Sequence, residues 1–326
     1  MSHLRFAVLL LLGVIVLASG AEAAGHSYVY INGRRSIVHF NEGDSFRIQD
    51  GPYANRGSRL AGFNTLESFG PVHAWSSWHP YELYVNAKLA TLNAARGVWH
   101  CSTDGSVDGY GRLLLDCPDL AVSQIRNGFA HAMNVDDTPS RMEYLSAQQE
   151  AIRERRGMWA HGVPSFVLTS LHSRDEDPSR DFHYNRMVST RDGHSERWTH
   201  RDRYPECSWQ CATELVADEA QVRWVARSLR SNEATREAVA EVPNLLLIEL
   251  VDRFARLGTL PEYTTDEISV AVLPVLTAAK AEGRLSDPEE RLGACHLYAA
   301  FTRRYGRNRA SCLHGHGGRP PELGSR

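Results

Sequence analysis

Apolar residues fall in short stretches through the first part of the chain and at three- and four-residue spacing through the last part. The short stretches are Tyr28 to Ile31, Ser36 to Phe40, Ser45 to Ile48, Arg59 to Phe63, Val98 to Ser102 and Arg112 to Asp116. They are rich in β-branched and aromatic residues and read as strands. Turn formers separate them, among them Asn32-Gly33, Glu42-Gly43-Asp44, Asp50-Gly51-Pro52 and Asp104-Gly105. Helices are expected at Pro80 to Ala95, Asp119 to Asn127 and Arg141 to Arg156, the first and last with apolar residues on one face. The pattern predicts an α+β unit built on a small β-barrel or β-sandwich.

From about Ser173 to Glu206 the chain turns polar and dense in Arg, Asp and His, which reads as an irregular connector. Beyond Cys211 the spacing becomes helical, with segments expected at Glu214 to Leu229, Asn244 to Leu257, Thr265 to Gly283 and Pro288 to Tyr305. The expected organisation is therefore a leader over 1–23, a first domain over 24–172, a connector over 173–212, a mainly α-helical region over 213–313 and a Gly- and Pro-rich disordered tail over 314–326. The C-terminal helices show apolar faces and no catalytic pattern, so they read as a packing or partner-binding region whose partner the residues do not specify.

The leader changes the picture. Arg5 precedes an apolar run from Phe6 to Ala18, and Ala21-Glu22-Ala23 offers small residues at a cleavage site, the pattern of a secretory signal peptide. The run is too short to span a bilayer, so export to the periplasm or outside the cell is expected, without stable membrane association. Six cysteines, Cys101, Cys117, Cys207, Cys211, Cys295 and Cys312, form an even set that falls into three sequence-local pairs. In an oxidising compartment this set suggests disulfides, although six cysteines permit fifteen pairings. The spacing of Cys207 and Cys211, and of Cys312 with His314 and His316, is poor for a zinc site. Net charge is −3, and losing Arg5 and Glu22 together leaves it there, which argues against a binder held to nucleic acid mainly by charge.

Three motifs then stand in order: Asn41-Glu42-Gly43-Asp44-Ser45, Arg59-Leu60-Ala61-Gly62-Phe63-Asn64-Thr65-Leu66-Glu67, and Asp108-Gly109-Tyr110-Gly111-Arg112. In order and spacing they resemble the staphylococcal nuclease (thermonuclease) family, over roughly Val38 to Trp159. The resemblance implies a five-stranded OB-fold barrel with helices, and a calcium-dependent endonuclease acting on DNA or RNA. It implies Arg59 and Arg112 as the arginines that bind the phosphate and its developing charge, Glu67 as the base for water, and Tyr110 as a substrate contact. Asp44, Asn64 and the carbonyl of Thr65 match the calcium-holding positions, all oxygen donors suited to a hard cation. Three positions depart from the family: Glu42 replaces its first Asp, Leu66 its Pro, and Asn64 an Asp. The last removes one negative charge and implies a weaker calcium site. Asn134 and Asp136 stand where the family's nucleotide-contacting tyrosines are expected. A nuclease-like binding module with a weakened metal site is the alternative expectation.

Two further features are read from the residues alone. Cys101 and Cys117 flank the strands that carry Arg112, so a bridge between them would clamp that strand. Closing a loop of that size is worth roughly 3 kcal/mol. His183, His194 and His200, interleaved with arginines, either line a nucleic-acid path or belong to a solvated connector.

Overall fold

The structure is a computed structural model that describes residues 27–69, 72–305 and 307–314. The expected signal peptide and most of the expected tail lie outside the described residues. Among them the fold is mixed α+β, with six helices and several small sheets, none of which closes into a barrel. None of the helices is long and apolar enough to cross a membrane.

The first sheet begins as a hairpin. Strand β1 (Ser27–Ile31) pairs antiparallel with β2 (Arg34–Glu42) through Asn32 and Gly33, whose φ values of 50° and 79° make the turn that suits the twist of two strands. Strand β3 (Ser45–Ile48) follows on β2 across the Gly43-Asp44 turn, and β1 also pairs, in parallel, with β7 (Trp99–Cys101). Alternate residues Val29, Ile31, Val38, Phe40, Phe46 and Ile48 point into one core. Strand β4 (Ser58–Leu60) pairs in parallel with β8 (Leu113–Leu115), and β5 (Phe63–Thr65) pairs antiparallel with β9 (Ala130–Ala132). Single bridges join the pieces, Arg47 opposite Gly57 and Ser102 opposite Asp116.

Helices α1 (Pro80–Arg96), α2 (Pro118–Arg126) and α3 (Met142–Arg153) lie close to their expected places. Proline at the first position starts α1 and α2, where its missing N–H is no loss. His79 caps α1 reciprocally with Glu82.

The second half differs from the pattern-based expectation at three points. The polar stretch is not an irregular connector: β11 (His183–Ser189) and β12 (Ser195–His200) form an antiparallel sheet with β10 (Phe166–Ser170). Its polar residues face inward and satisfy one another, as when Asn185 donates to the Tyr204 hydroxyl at 2.9 Å, so hydropathy hides the strands. Segment 214–216 belongs to β13 (Trp209–Val216), and helix α4 (Glu219–Ser231) starts only at the Asp218 cap. Finally, the expected helix from Pro288 is β14 (Glu289–Leu297) and a short turn at Phe301–Arg303. Strand β14 lies between β13 and β6 (His73–Ala74), and sheet pairing overrides its local spacing. Helices α5 (Asn244–Leu257) and α6 (Asp266–Ala281) pack with α4 around a separate apolar core.

All six cysteines are in disulfides. Cys101–Cys117 closes the local loop as expected. The other two bridges, Cys207–Cys312 and Cys211–Cys295, are not the sequence-local pairs. Cys211 on β13 stands directly opposite Cys295 on β14, and this register leaves Cys207 for Cys312. No thiolate remains for zinc.

Candidate functional site

The Gly43-Asp44 turn lies tight against the core. A side chain at Gly43 would meet the Thr65 methyl group at 2.7 Å and Ala90 at 2.8 Å, so only glycine lets the turn approach this closely. Asp44, 2% exposed, is thereby carried against the ends of β4 and β5, where its carbonyl accepts from the Leu60 N–H at 3.1 Å. Its Oδ2 accepts from Arg59 Nη1 at 2.7 Å and from the Thr65 N–H at 3.0 Å. Its Oδ1 is buried and has no hydrogen-bond partner. The other guanidinium nitrogen, Arg59 Nη2, donates to Asn64 Oδ1 at 2.6 Å. Thus Asp44, Arg59, Asn64 and Thr65, from three separate stretches of chain, form one network.

His131, which the sequence did not single out, fixes the orientation of that network. It sits opposite Asn64 in the β5–β9 register. Its Nδ1 lies 3.1 Å from the Ala132 carbonyl, which can only accept, so Nδ1 carries the proton and Nε2 is a bare acceptor. Asn64 Nδ2 must then be the donor in the 3.3 Å contact to Nε2, and it donates also to the Thr65 carbonyl at 2.9 Å. Both amide hydrogens are engaged on the inner side, which turns Oδ1 toward Arg59. Burial lowers the His131 pKa to about 4, keeping the ring neutral.

Two further acids stand beside the network. Glu42 accepts from the Ser68 N–H at 3.2 Å. Burial, then the charges of Glu67 and Asp44, push the Glu42 carboxyl well above the usual carboxylate range. Glu67 borders a small cavity with Phe69, His296 and Arg304. Tyr305 packs edge-on against Phe69, with ring centroids 4.7 Å apart. Its hydroxyl is pushed up by burial and by Glu67 and Glu42, and held down by Arg304 and Arg112.

Arg112 itself is not joined to Asp44 by a hydrogen bond. Its Nε and Nη2 both reach Asp108 Oδ2 at 2.7 Å, while Asp108 Oδ1 accepts the N–H groups of Tyr110 and Arg112 at 2.9 Å each. The guanidinium lies 5.5 Å from the Tyr110 ring centroid, and Tyr110 is 73% exposed. Arg112 and Tyr110 therefore form an accessible rim, separate from the buried Asp44–Arg59 network. Asn134 and Asp136 offer no ring to a substrate: the Asn134 N–H donates to Gly193 at 2.7 Å and the Asp136 carbonyl accepts from Ser195 at 2.7 Å, anchoring the β11–β12 hairpin.

Strands β6 and β14 bring His73 opposite His296, their ring centroids 4.7 Å apart. Both are buried, and neither Nε2 has a partner. Burial lowers His73 to about 3 and holds His296 well below its ordinary value. His183, His194 and His200 are also buried, which removes both the solvated connector and the open nucleic-acid path expected for them.

A second polar cluster, Asp192, His194 and Glu249, holds its ligand atoms within 4.8 Å of one another. Such a set could take a metal ion only if His194 gave up a hydrogen bond. Its Nδ1 lies 2.6 Å from Asp192 and its Nε2 3.1 Å from Glu196. Burial alone would lower its pKa, but these two carboxylates outweigh burial and raise it to about 10, so the ring is a buried cation. Arg191 extends the cluster to Glu219, Glu249 and Asp252 at 3.0, 3.3 and 3.5 Å.

No protein-family model matches this chain, and no curated protein matches it in sequence.

Proposed function

We propose that the chain is an exported, metal-assisted endonuclease that hydrolyses phosphodiester bonds of DNA or RNA, on a barrel of the OB type. The observation that carries the reading is the network of Asp44, Arg59, Asn64 and Thr65, which leaves one buried carboxylate oxygen of Asp44 unpartnered. An orphaned anionic oxygen at this depth is costly without a cation. The bridges at Arg47–Gly57 and Ser102–Asp116 link the small sheets edge to edge, which supports the barrel reading. The three disulfides support an oxidising compartment.

The donors fit calcium. Asp44, the Asn64 amide oxygen and the Thr65 carbonyl are all oxygens, with Glu42 and Glu67 beside them, and the carboxylates of Asp44 and Glu67 outweigh the single positive charge of Arg59 even while the Glu42 carboxyl is held well above its ordinary range. When bound, such a cation supplies positive charge against the phosphate. Everything else comes from the chain. Arg59 exchanges its hold on Asp44 and Asn64 for the phosphate oxygens, a planar fork meeting a planar pair of acceptors. Arg112, exposed at the rim, does the same from Asp108. Glu67 accepts a proton from water as its oxygen bonds to phosphorus; the bond to the leaving oxygen breaks and solvent returns a proton there. The test is cleavage of single-stranded DNA and RNA with calcium and with chelator, beside Arg59→Ala and Glu67→Gln. Cleavage that persists in both variants would sink the assignment.

One observation favours the second reading, a nuclease-like binding module. Arg59 is tied at both ends to groups that would hold the metal. Binding of oligonucleotides without cleavage in any divalent metal would establish it.

A further inference from the structure

Past the last residue of the resemblance, segments 172–184 and 298–302 come together with Tyr110 around a cavity of about 460 Å³. That volume is within the range of small-molecule sites, roughly 300–1,000 Å³. Tyr110 and Phe301 both line it, nearly parallel at 16° with ring centroids 6.3 Å apart. Both rings are largely bare to solvent, Tyr110 at 73% and Phe301 at 52%. Two large rings left wet side by side, next to a phosphate-binding arginine, form a stacking platform that a folded core does not need.

Phe301 is held firmly in place. The Cys207 N–H donates to the Tyr298 carbonyl at 2.9 Å, the Tyr298 N–H to Ser208 at 2.8 Å, and Arg303 pairs with Glu206 at 3.0 Å. The Cys207–Cys312 bridge closes the segment beyond it.

The cavity's charge selects what enters. Asp175, Glu176 and Asp177 line it together with Arg180, which is already paired with Asp177 at 2.9 Å, and Glu176 is fixed by the Tyr298 hydroxyl at 3.0 Å and by His172 at 2.9 Å. Carboxylates repel a phosphate but tolerate a neutral ring and accept from its amino groups. Arg112 stands 5.5 Å from the Tyr110 centroid, so a phosphate held by Arg112 brings its own base to the rings.

We propose that Tyr110 and Phe301 form a nucleobase subsite that grips an unstacked base of single-stranded substrate beside the phosphate held by Arg112. This rests on the nuclease reading for its substrate, and it adds a C-terminal residue, Phe301, as a determinant of strand binding. A duplex, whose bases are stacked inside, cannot use the subsite.

The experiment uses the full-length oxidised chain, with oligothymidylate and the same strand carrying abasic positions as probes. Affinity is read by fluorescence anisotropy in chelator, and KM and kcat in calcium. Wild type is expected to bind the intact strand about tenfold more tightly than the abasic one, the ratio that one stacked base gives. Phe301→Ala and Tyr110→Ala are expected to abolish that ratio and raise KM with kcat little changed, while Phe301→Tyr restores it. Equal binding of intact and abasic strands by wild type, or a ratio that survives in Phe301→Ala, overturns the subsite. If the near-ultraviolet circular dichroism of Phe301→Ala departs from wild type, the comparison of Phe301→Tyr with Phe301→Leu decides, since only the aromatic replacement retains the ratio. Base-dependent binding without cleavage would sink the nuclease reading and leave the subsite standing.

Discussion

The chain places buried histidines in two opposite settings. His73, His131 and His296 are buried and neutral, with His73 lowered to about 3 and His131 to about 4. His194 is equally buried yet raised to about 10. Depth does not separate them; partners do. With no carboxylate on either nitrogen, and at most a carbonyl on one as in His131 and His296, desolvation stays in control, whereas a carboxylate on each nitrogen reverses it. The first setting leaves the Nε2 atoms of His73 and His296 without partners while that of His131 holds Asn64, and the second locks the β11–β12 hairpin to α5.

The largest effect expected from breaking this contrast lies in the lock. Arg191→Met strips one cation from Glu219, Glu249 and Asp252 and is expected to cost about 3–5 kcal/mol of stability, read by urea denaturation, with cleavage unchanged below the transition. A loss under 1 kcal/mol would mean that the cluster is not a lock. Next, Arg59→Ala should lower cleavage by roughly 10²–10³-fold. Its stability should fall as well, by about 1–3 kcal/mol, because the buried Asp44 loses its ion-pair partner and keeps only the Thr65 N–H, so cleavage is compared where both proteins are folded.

The two settings also predict opposite pH limbs. His73 titrates below its ordinary 6.5 when folded, so its contribution is present above pH 6.5 and lost as pH falls toward about 3. Glu249, raised by burial and by Asp192 from 4.5 to about 8, and His194, raised from 6.5 to about 10, act the other way: stability falls as pH rises through 4.5 to 8 and through 6.5 to 10. Each limb amounts to roughly 1.4 kcal/mol per pH unit per group. His131 and His296, lowered in the same way, add to the acid limb and outweigh Glu249 below pH 6.5, so denaturation curves should peak near that pH. His73→Asn should flatten the acid limb and Glu249→Gln the alkaline one; an unaltered profile in either variant contradicts its assignment.

A smaller effect separates Asn64 from the Asp it replaces. Asn64→Asp loses both amide hydrogens and turns an acceptor toward the bare Nε2 of His131 and the Thr65 carbonyl. It is expected to destabilise the fold by about 1–3 kcal/mol and to give no gain in calcium affinity, measured by calorimetry. Tighter calcium binding with unchanged stability would show that His131 does not hold this amide.

Much of the first half was legible because its signals are local. Short β-branched and aromatic stretches give most of the strands, Asn32-Gly33 the hairpin, Pro80 the start of the first helix, and the order of three motifs brings Asp44, Arg59, Asn64 and Thr65 into view. His131 was not legible, since nothing in Phe129-Ala130-His131-Ala132 marks its imidazole as the partner of Asn64; only the β5–β9 register does. The polar strands β11 and β12 were missed because polar side chains that satisfy one another inside a sheet carry the hydropathy of a solvated loop.

The residues in order were enough to determine the α+β class, the first three helices, most of the first-half strands and the membership of the Asp44 network, because each depends on neighbours a few positions apart or on motifs with fixed spacing; the split of Arg59 to Phe63 into β4 and β5, and the strands β6 and β9, depend on distant pairing. Only the tertiary structure decided which cysteines pair, that β14 is a strand and not a helix, which histidines are charged, and that Phe301 stands beside Tyr110. Each of these depends on partners far away in the chain, and a residue's pairing, protonation and exposure belong to its surroundings, not to its identity.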